Sequence, residues 1–342
     1  MLINLSTAAP KDRLNWQYRC FIMTDNNYDS GRLNLPFVGH STFAKSPPCL
    51  DWSDINADFA VLGVPNDMGT QYRPGARFGP RAIREASTLF SFGHSGAYDF
   101  EDDVTYLPSG QVKIVDVGDA DIVHTDMEQS HKNTELAVRA ILNTGAVPVV
   151  LGGDHSVHAP IIAAFSDEEP VHIIHIDAHL DFVDERHGVR FGHGNPLRRA
   201  SEMSWVTGMT QMGIRNVSSS NRDDYQAARD AGSTILSVRD VRKLGPDGVL
   251  DLIPKGVRYY VTIDIDGFDP SIAPGTGTPS HGGFLYYEIL EILQCLSKHG
   301  VVVGMDLVEV APVYDPSGIT AMLAAQLLMN FLGFIHHNKA SE

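Results

Sequence analysis

Residues 171–181 read Val171-His172-Ile173-Ile174-His175-Ile176-Asp177-Ala178-His179-Leu180-Asp181. A run of β-branched residues, interrupted only by His172 and His175, gives way to acid, histidine and acid at alternate positions. The run does not alternate apolar with polar as a strand with one wet face would, so it predicts a strand buried on both sides. Similar runs at 59–64, 112–117, 147–151, 207–214, 234–236, 257–265 and 301–307 predict further strands. Helical patterns fall at 80–89, 127–144, 157–165, 221–230, 285–299 and 317–334. Pro80 suits a first helical turn, and Gly145 and Gly300 suit helix ends. Strands alternating with helices predict an α/β fold, a parallel sheet with helices on both faces. Such sheets carry their chemistry in loops beyond the carboxyl ends of the strands.

The chain has 342 residues, of which 43% are apolar and 20% charged, a folded globular composition. Residues 1–56 are irregular, with Pro47-Pro48, and read as an N-terminal extension and candidate oligomer contact; residues 57–342 read as one α/β domain. Lys and Arg total 26 against 42 Asp and Glu, a formal charge of −16. An acidic surface repels phosphate backbones, which argues against nucleic acid as a partner. Cys20, Cys49 and Cys295 show no Cys-X-X-Cys spacing and point to a reducing compartment. The first thirty residues hold no secretory core. The longest apolar segment, 319–335, is broken by Thr320, Gln326 and Asn330 and is shorter than the ~20 residues of a span. The expectation is a cytoplasmic protein with no membrane contact, its C-terminal segment a buried helix.

Four strand ends deliver chemistry-bearing residues. Gly152-Gly153-Asp154-His155-Ser156 follows the run at 147–151, Asp177-Ala178-His179-Leu180-Asp181 follows 171–176, Asp264-Ile265-Asp266 closes the run near 263, and Glu309 follows 301–307. If the backbone stays extended, Asp177, His179 and Asp181 share one face, as do Asp264 and Asp266. Single acids at strand ends are commonly caps and turn formers. Carboxylates gathered this densely repel one another, and two like charges a few ångströms apart strongly raise one pKa. A pair of divalent cations removes the conflict. Six ligands, His155, Asp177, His179, Asp181, Asp264 and Asp266, suit a two-metal site with bridging carboxylates. The mixed imidazole and oxygen set favours Mn2+, Ni2+, Zn2+ or Fe2+ over Ca2+ or Mg2+. His158, His172 and His175 are read as packing residues of helix and strand.

Across roughly residues 57–335 these motifs resemble the ureohydrolase family, the arginases and agmatinases. The matching stretches are Gly152–Ser156, Asp177–Asp181, Asp264-Ile265-Asp266-Gly267-Phe268-Asp269-Pro270, residues 273–279 with Gly282-Gly283, and Asp306-Leu307-Val308-Glu309-Val310-Ala311-Pro312, the last closest to agmatinases. The resemblance implies a three-layer α/β/α sandwich around a mainly parallel sheet. One metal would be held by His155, Asp177, Asp181 and Asp264, the other by Asp177, His179, Asp264 and Asp266, with Asp177 and Asp264 bridging. Mn2+ is the usual family metal, and Ni2+ serves some relatives that act on small guanidines. It also implies a homo-oligomer, hexamer or trimer, and is compatible with a hetero-oligomer that includes a homologous subunit.

Two cations lower the pKa of water enough to supply hydroxide, which would attack the guanidinium carbon. Asp181 would relay the proton, and His193, in Gly192-His193-Gly194, would exchange protons with solvent. Glu309 would hold the planar guanidinium by a bidentate pair. The loop from Asp181 to His193 should line the mouth, and it carries Asp184, Glu185, Arg186 and Arg190. It lacks the Thr/Ser/Asn-rich stretch by which arginases bind an amino-acid carboxylate, so arginine is disfavoured. Asn195 and Leu197 depart from the usual agmatinase continuation after His193-Gly194; Asn195 is taken as a substrate contact. The expected activity is release of urea and an amine from a small guanidino compound such as agmatine or guanidinobutyrate. Alternatives are a hydrolase of free or methylated guanidine or a biguanide, another amidine or formimino hydrolase, and a non-catalytic or regulatory subunit. Loss of a ligand would signal the last, and all six are present.

Overall fold

The computed structural model describes residues 35–92, 96–215, 217 and 219–339. The expected strands form one sheet: β1 (Phe59–Val64), β4 (Ile114–Asp119), β5 (Val147–Gly152), β6 (Val171–Ile176), β7 (Val206–Met212), β8 (Ser233–Leu236), β9 (Arg258–Asp264) and β10 (Val301–Val308). Their order is β4-β1-β5-β10-β9-β6-β7-β8, and every neighbouring pair is parallel. β1, β5 and β6 are buried or nearly buried along their whole length, as uninterrupted apolar runs require. A short antiparallel hairpin, β2 (Ala97–Asp99) with β3 (Val104–Tyr106), lies outside the sheet and was not expected; its strands are three residues each and largely exposed.

Helices cover both faces. One apolar core joins the sheet to α1 (Gly79–Ser87), α6 (Val238–Leu250), α7 (Tyr286–His299) and α8 (Ile319–Lys339) through residues such as Ile83, Val241, Ile289 and Phe331. A second joins the other face to α2 (Met127–Leu142), α3 (His158–Ala163), α4 (Pro196–Ser201) and α5 (Arg222–Asp230) through Val138, Ile161, Leu197 and Ala228. The architecture is the α/β/α sandwich. By length and composition α8 is apolar enough to cross a membrane, yet 61% of its apolar window is buried inside the domain. Each large apolar side chain so buried stabilises by about 1.5–3 kcal/mol, which accounts for its place in the core.

α4 and α6 escape sequence reading. α6 contains Gly245-Pro246, a turn signal, and Gly245 indeed sits at φ 68 inside it; a capping box from Ser237 and Asp240 starts the helix regardless. Of the N-terminal stretch, residues 1–34 lie outside the described residues. From Phe43 the chain packs on the edge of β4: Phe43 is fully buried, its N–H donates to Asp116 Oδ2 at 2.8 Å, and Cys49 N–H donates to the Asp116 carbonyl at 2.8 Å.

Candidate metal centre

β5, β10, β9 and β6 are consecutive in the sheet, so their carboxyl ends open on one crevice. The turn after β5 depends on Gly153, where a Cβ would lie 1.7 Å from the Asn66 carbonyl oxygen. Without one, Gly153 N–H donates to Val64 and Asp154 N–H to Asn66, both at 2.8 Å. Asp154 then accepts from the Ser156 N–H at 3.0 Å and caps the turn that presents His155.

The same device shapes two other strand ends. Asp177 Oδ1 accepts from the His179 N–H at 2.6 Å, and Asp264 Oδ1 from the Asp266 N–H at 2.8 Å. An Asp that bonds the N–H two residues on makes a turn, so these segments bend instead of staying extended, contrary to the expectation from strand alternation. Asp181 reaches the crevice from a left-handed backbone, φ 53, and Glu309 from φ 63. Such conformations cost of order 1–3 kcal/mol each and cluster at functional sites.

The six expected ligands converge. His155 Nδ1 lies 3.1 Å from Asp177 Oδ2, 3.0 Å from Asp181 Oδ2 and 3.5 Å from Asp264 Oδ2. His179 Nδ1 lies 3.1 Å from Asp266 Oδ2 and 3.4 Å from Asp177 Oδ1. Asp177 belongs to both groups, one oxygen to each. Burial pushes the Asp264 carboxyl well above the usual range, and Asp266 and Asp177 push it further. Burial disfavours charge on His155 and His179 too, but the carboxylates outweigh it, holding His155 well above its ordinary value and His179 up to about 12. Protons on two imidazoles thus offset a buried acid cluster. A carboxylate and imidazole set of this kind fits divalent transition metals, whose binding requires those imidazoles to be neutral.

Four polar residues inside the strands, His175, Gln211, Thr262 and Asp306, were missed or read as packing. His175 Nε2 lies 2.8 Å from Asp177 Oδ2, and Gln211 Nε2 donates to His175 Nδ1 at 3.0 Å, so the ring holds Asp177 in place. His155 Nε2 donates to Thr262 Oγ1 at 2.9 Å, the Thr262 hydroxyl donates to Asp306, and the other Asp306 oxygen takes His158 Nδ1 at 2.8 Å. This chain orients His155 with Nδ1 toward the acids. Thr262→Val keeps the shape and removes the link; metal affinity should fall roughly 10- to 100-fold, the usual scale for a ligand's outer partner. Isothermal titration of stripped protein with Mn2+ checks this, and unchanged affinity would show that the link is immaterial.

A cleft of about 170 Å3 sits above the cluster. His179, Asp181, Asp264, His193 and Glu309 line its inner part, and Gln71, Tyr72, Arg186, Ser219, Ser220 and Thr278 line the rest. Glu309 is 2% exposed; its Oε1 accepts from the His155 N–H at 3.0 Å and pairs with His193 Nδ1 at 2.9 Å. The Gln71 N–H points at His193 Nε2 from 3.2 Å, which favours the neutral ring with its proton on Nδ1. Burial also opposes the charged ring, but Glu309 outweighs burial and pushes His193 up to about 9. Protonation at Nε2 therefore requires only that the Gln71 contact be given up.

Asn195 does not face this cleft. It is buried, its Oδ1 accepts from the Gly192 N–H at 2.9 Å and its Nδ2 donates to the Val183 carbonyl at 2.6 Å. Its amide braces the loop that carries His193, in place of the expected substrate contact. Asp184 is likewise engaged elsewhere, with Arg199 and Arg190.

The family pattern described as Arginase family matches residues 57–333. The chain is 38% identical over 284 residues to the human mitochondrial guanidino acid hydrolase, covering 80% of this chain and 77% of that one. It is 37% identical over 285 residues to the mitochondrial agmatinase of Gallus gallus, covering 80% of each. The solved structure of proclavaminate amidino hydrolase from Streptomyces clavuligerus matches with a TM-score of 0.80 at 33% identity, covering 89% of this chain and 99% of that one. The chain belongs to the arginase family.

Proposed function

We propose that the protein hydrolyses a small guanidino compound to urea and an amine, using two divalent transition-metal ions, with Mn2+ the first candidate and Ni2+ the second. The observation that carries this reading is the convergence of four buried carboxylates and two imidazole Nδ1 atoms beside the Glu309–His193 pair. The relatives named as guanidino acid hydrolase and agmatinase support the class of substrate. The protein is an enzyme of that hydrolase class. His155, Asp177 and Asp181, with Asp264, would hold one ion, and Asp177, His179 and Asp266, with Asp264, the other. Such a pair, when bound, supplies water acidic enough to ionise near neutral pH.

The protein's own groups do the rest. Glu309, shielded from solvent, meets the guanidinium and fixes its plane over the cluster. Asp181, with Oδ2 facing the centre, takes the proton released as water adds to the guanidinium carbon. The leaving nitrogen needs a proton before the C–N bond breaks. His193 replaces protons from solvent through Nε2. Atoms balance as guanidinium plus water giving urea and an ammonium product.

The test is release of urea by purified, metal-loaded protein offered guanidinobutyrate, guanidinopropionate, agmatine, free guanidine and a biguanide, with ammonia read in parallel. Urea from at least one is expected. Ammonia without urea would make the protein an amidine hydrolase, and neither product would favour a non-catalytic subunit.

A further inference from the structure

We infer that Arg186 anchors a carboxylate tail, so that the substrate is an ω-guanidino acid and not a guanidino amine; this rests on the guanidino-hydrolase reading above. Residues at the rim decide which tail is accepted, and Arg186 is the charged side chain there that lies outside the catalytic cluster. Gln71 ties it to the reacting end. The Gln71 N–H reaches His193 Nε2 at 3.2 Å, and the Gln71 side-chain carbonyl accepts from Arg186 Nη1 at 3.0 Å. The guanidinium of Arg186 therefore stands one residue's width from the catalytic histidine.

Its partners are neutral. Besides Gln71, Arg186 Nη2 donates to the Ser219 carbonyl at 2.6 Å. Among the described residues Arg186 makes no ion pair, whereas its neighbours do: Arg190 and Arg199 both pair with Asp184 and Glu202. The acid that could have neutralised the rim is thus drawn to the far side of the loop. Glu185 is exposed and does not line the cleft. Arg186 is also held in place. Arg186 and Val189 exchange N–H···O bonds at 2.9 and 3.0 Å around His187 (φ 54) and Gly188 (φ 82), a two-residue hairpin turn of the type that requires positive φ at both positions. A preorganised guanidinium fork with no carboxylate partner among the described residues is the group that recognises a carboxylate, with two parallel N–H···O bonds. An ammonium tail would instead meet a like charge.

The experiment compares kcat/KM for guanidinobutyrate, agmatine and free guanidine in the metal-loaded protein and in Arg186→Gln and Arg186→Glu, with metal content and thermal melting recorded for each. The protein should prefer guanidinobutyrate to agmatine. Arg186→Gln should lower its kcat/KM for guanidinobutyrate roughly 10- to 100-fold, mainly through KM, the scale of a hydrogen bond to a charged group. Arg186→Glu should reverse the ratio of guanidinobutyrate to agmatine. Agmatine or free guanidine as the best substrate of the unmodified protein would overturn the inference while leaving guanidino hydrolysis intact. So would an unchanged ratio in folded Arg186→Glu. If that variant does not fold, the ratio in the unmodified protein and in Arg186→Gln decides. Urea from none of these three, nor from guanidinopropionate or a biguanide, overturns the hydrolase reading and this inference with it.

Discussion

Asp264→Asn is expected to abolish urea release and to remove at least one of two metal ions, while the metal-free protein stays folded. Asp264 is buried at the end of β9, and its Oδ2 lies 3.5 Å from His155 Nδ1. Burial, Asp266 and Asp177 all disfavour its charge in the absence of a cation. Asn removes that charge and can still accept the Asp266 N–H that shapes the turn. The metal-free variant should therefore melt no lower than metal-free unmodified protein. Adding Mn2+ should raise the melting temperature of the unmodified protein far more than that of the variant, because a ligand at 100 times its Kd stabilises the folded state by about 2.7 kcal/mol. Outer partners of a metal ligand are worth about 10- to 100-fold in affinity, and a shared ligand should exceed that. Full metal content in the variant would remove Asp264 from the centre.

His193→Ala should lower turnover roughly 100-fold, the scale of general acid–base help, with metal content unchanged. The imidazole touches Glu309 and the Gln71 N–H and none of the clustered aspartates. Loss of the ring leaves the six ligands as they stand. Partial rescue by added imidazole would place the defect in proton transfer. Loss of metal from the variant would instead make His193 a ligand. Turnover within about twofold of the unmodified protein would take it out of the reaction.

The strands were legible because a strand buried on both faces is an unbroken apolar run, and the expected run at 59–64 matches β1 residue for residue, as 171–176 matches β6. The clustering of the six side chains was legible because acids and histidines follow those runs directly. What was not legible is how the turns bend. Asp177 and Asp264 use one oxygen to bond the N–H two residues on, which no spacing rule shows. His175 was read as packing, and Thr262 and Asp306 were given no role at the site, because they lie inside strands. A signal was available: polar residues in a segment buried on both sides need partners, and theirs are Asp177, His155 and His158. Asn195 was misplaced for the opposite reason. Its position beside His193 suggested the cleft, whereas its amide closes hydrogen bonds within its own loop. α6 was hidden by Gly245-Pro246, where local turn chemistry and a well-capped helix start disagree and packing decides.

The central claim is that six side chains at four strand ends hold two metal ions for guanidino hydrolysis. It is tested most directly by stripping the protein with a chelator, titrating Mn2+ back, and counting bound ions per chain by elemental analysis while urea release from guanidinobutyrate is read on the same samples. The account predicts two ions per chain, with urea release absent from the stripped protein and restored as the ions bind. Urea release that survives stripping, or saturation at one ion per chain or none, would contradict it.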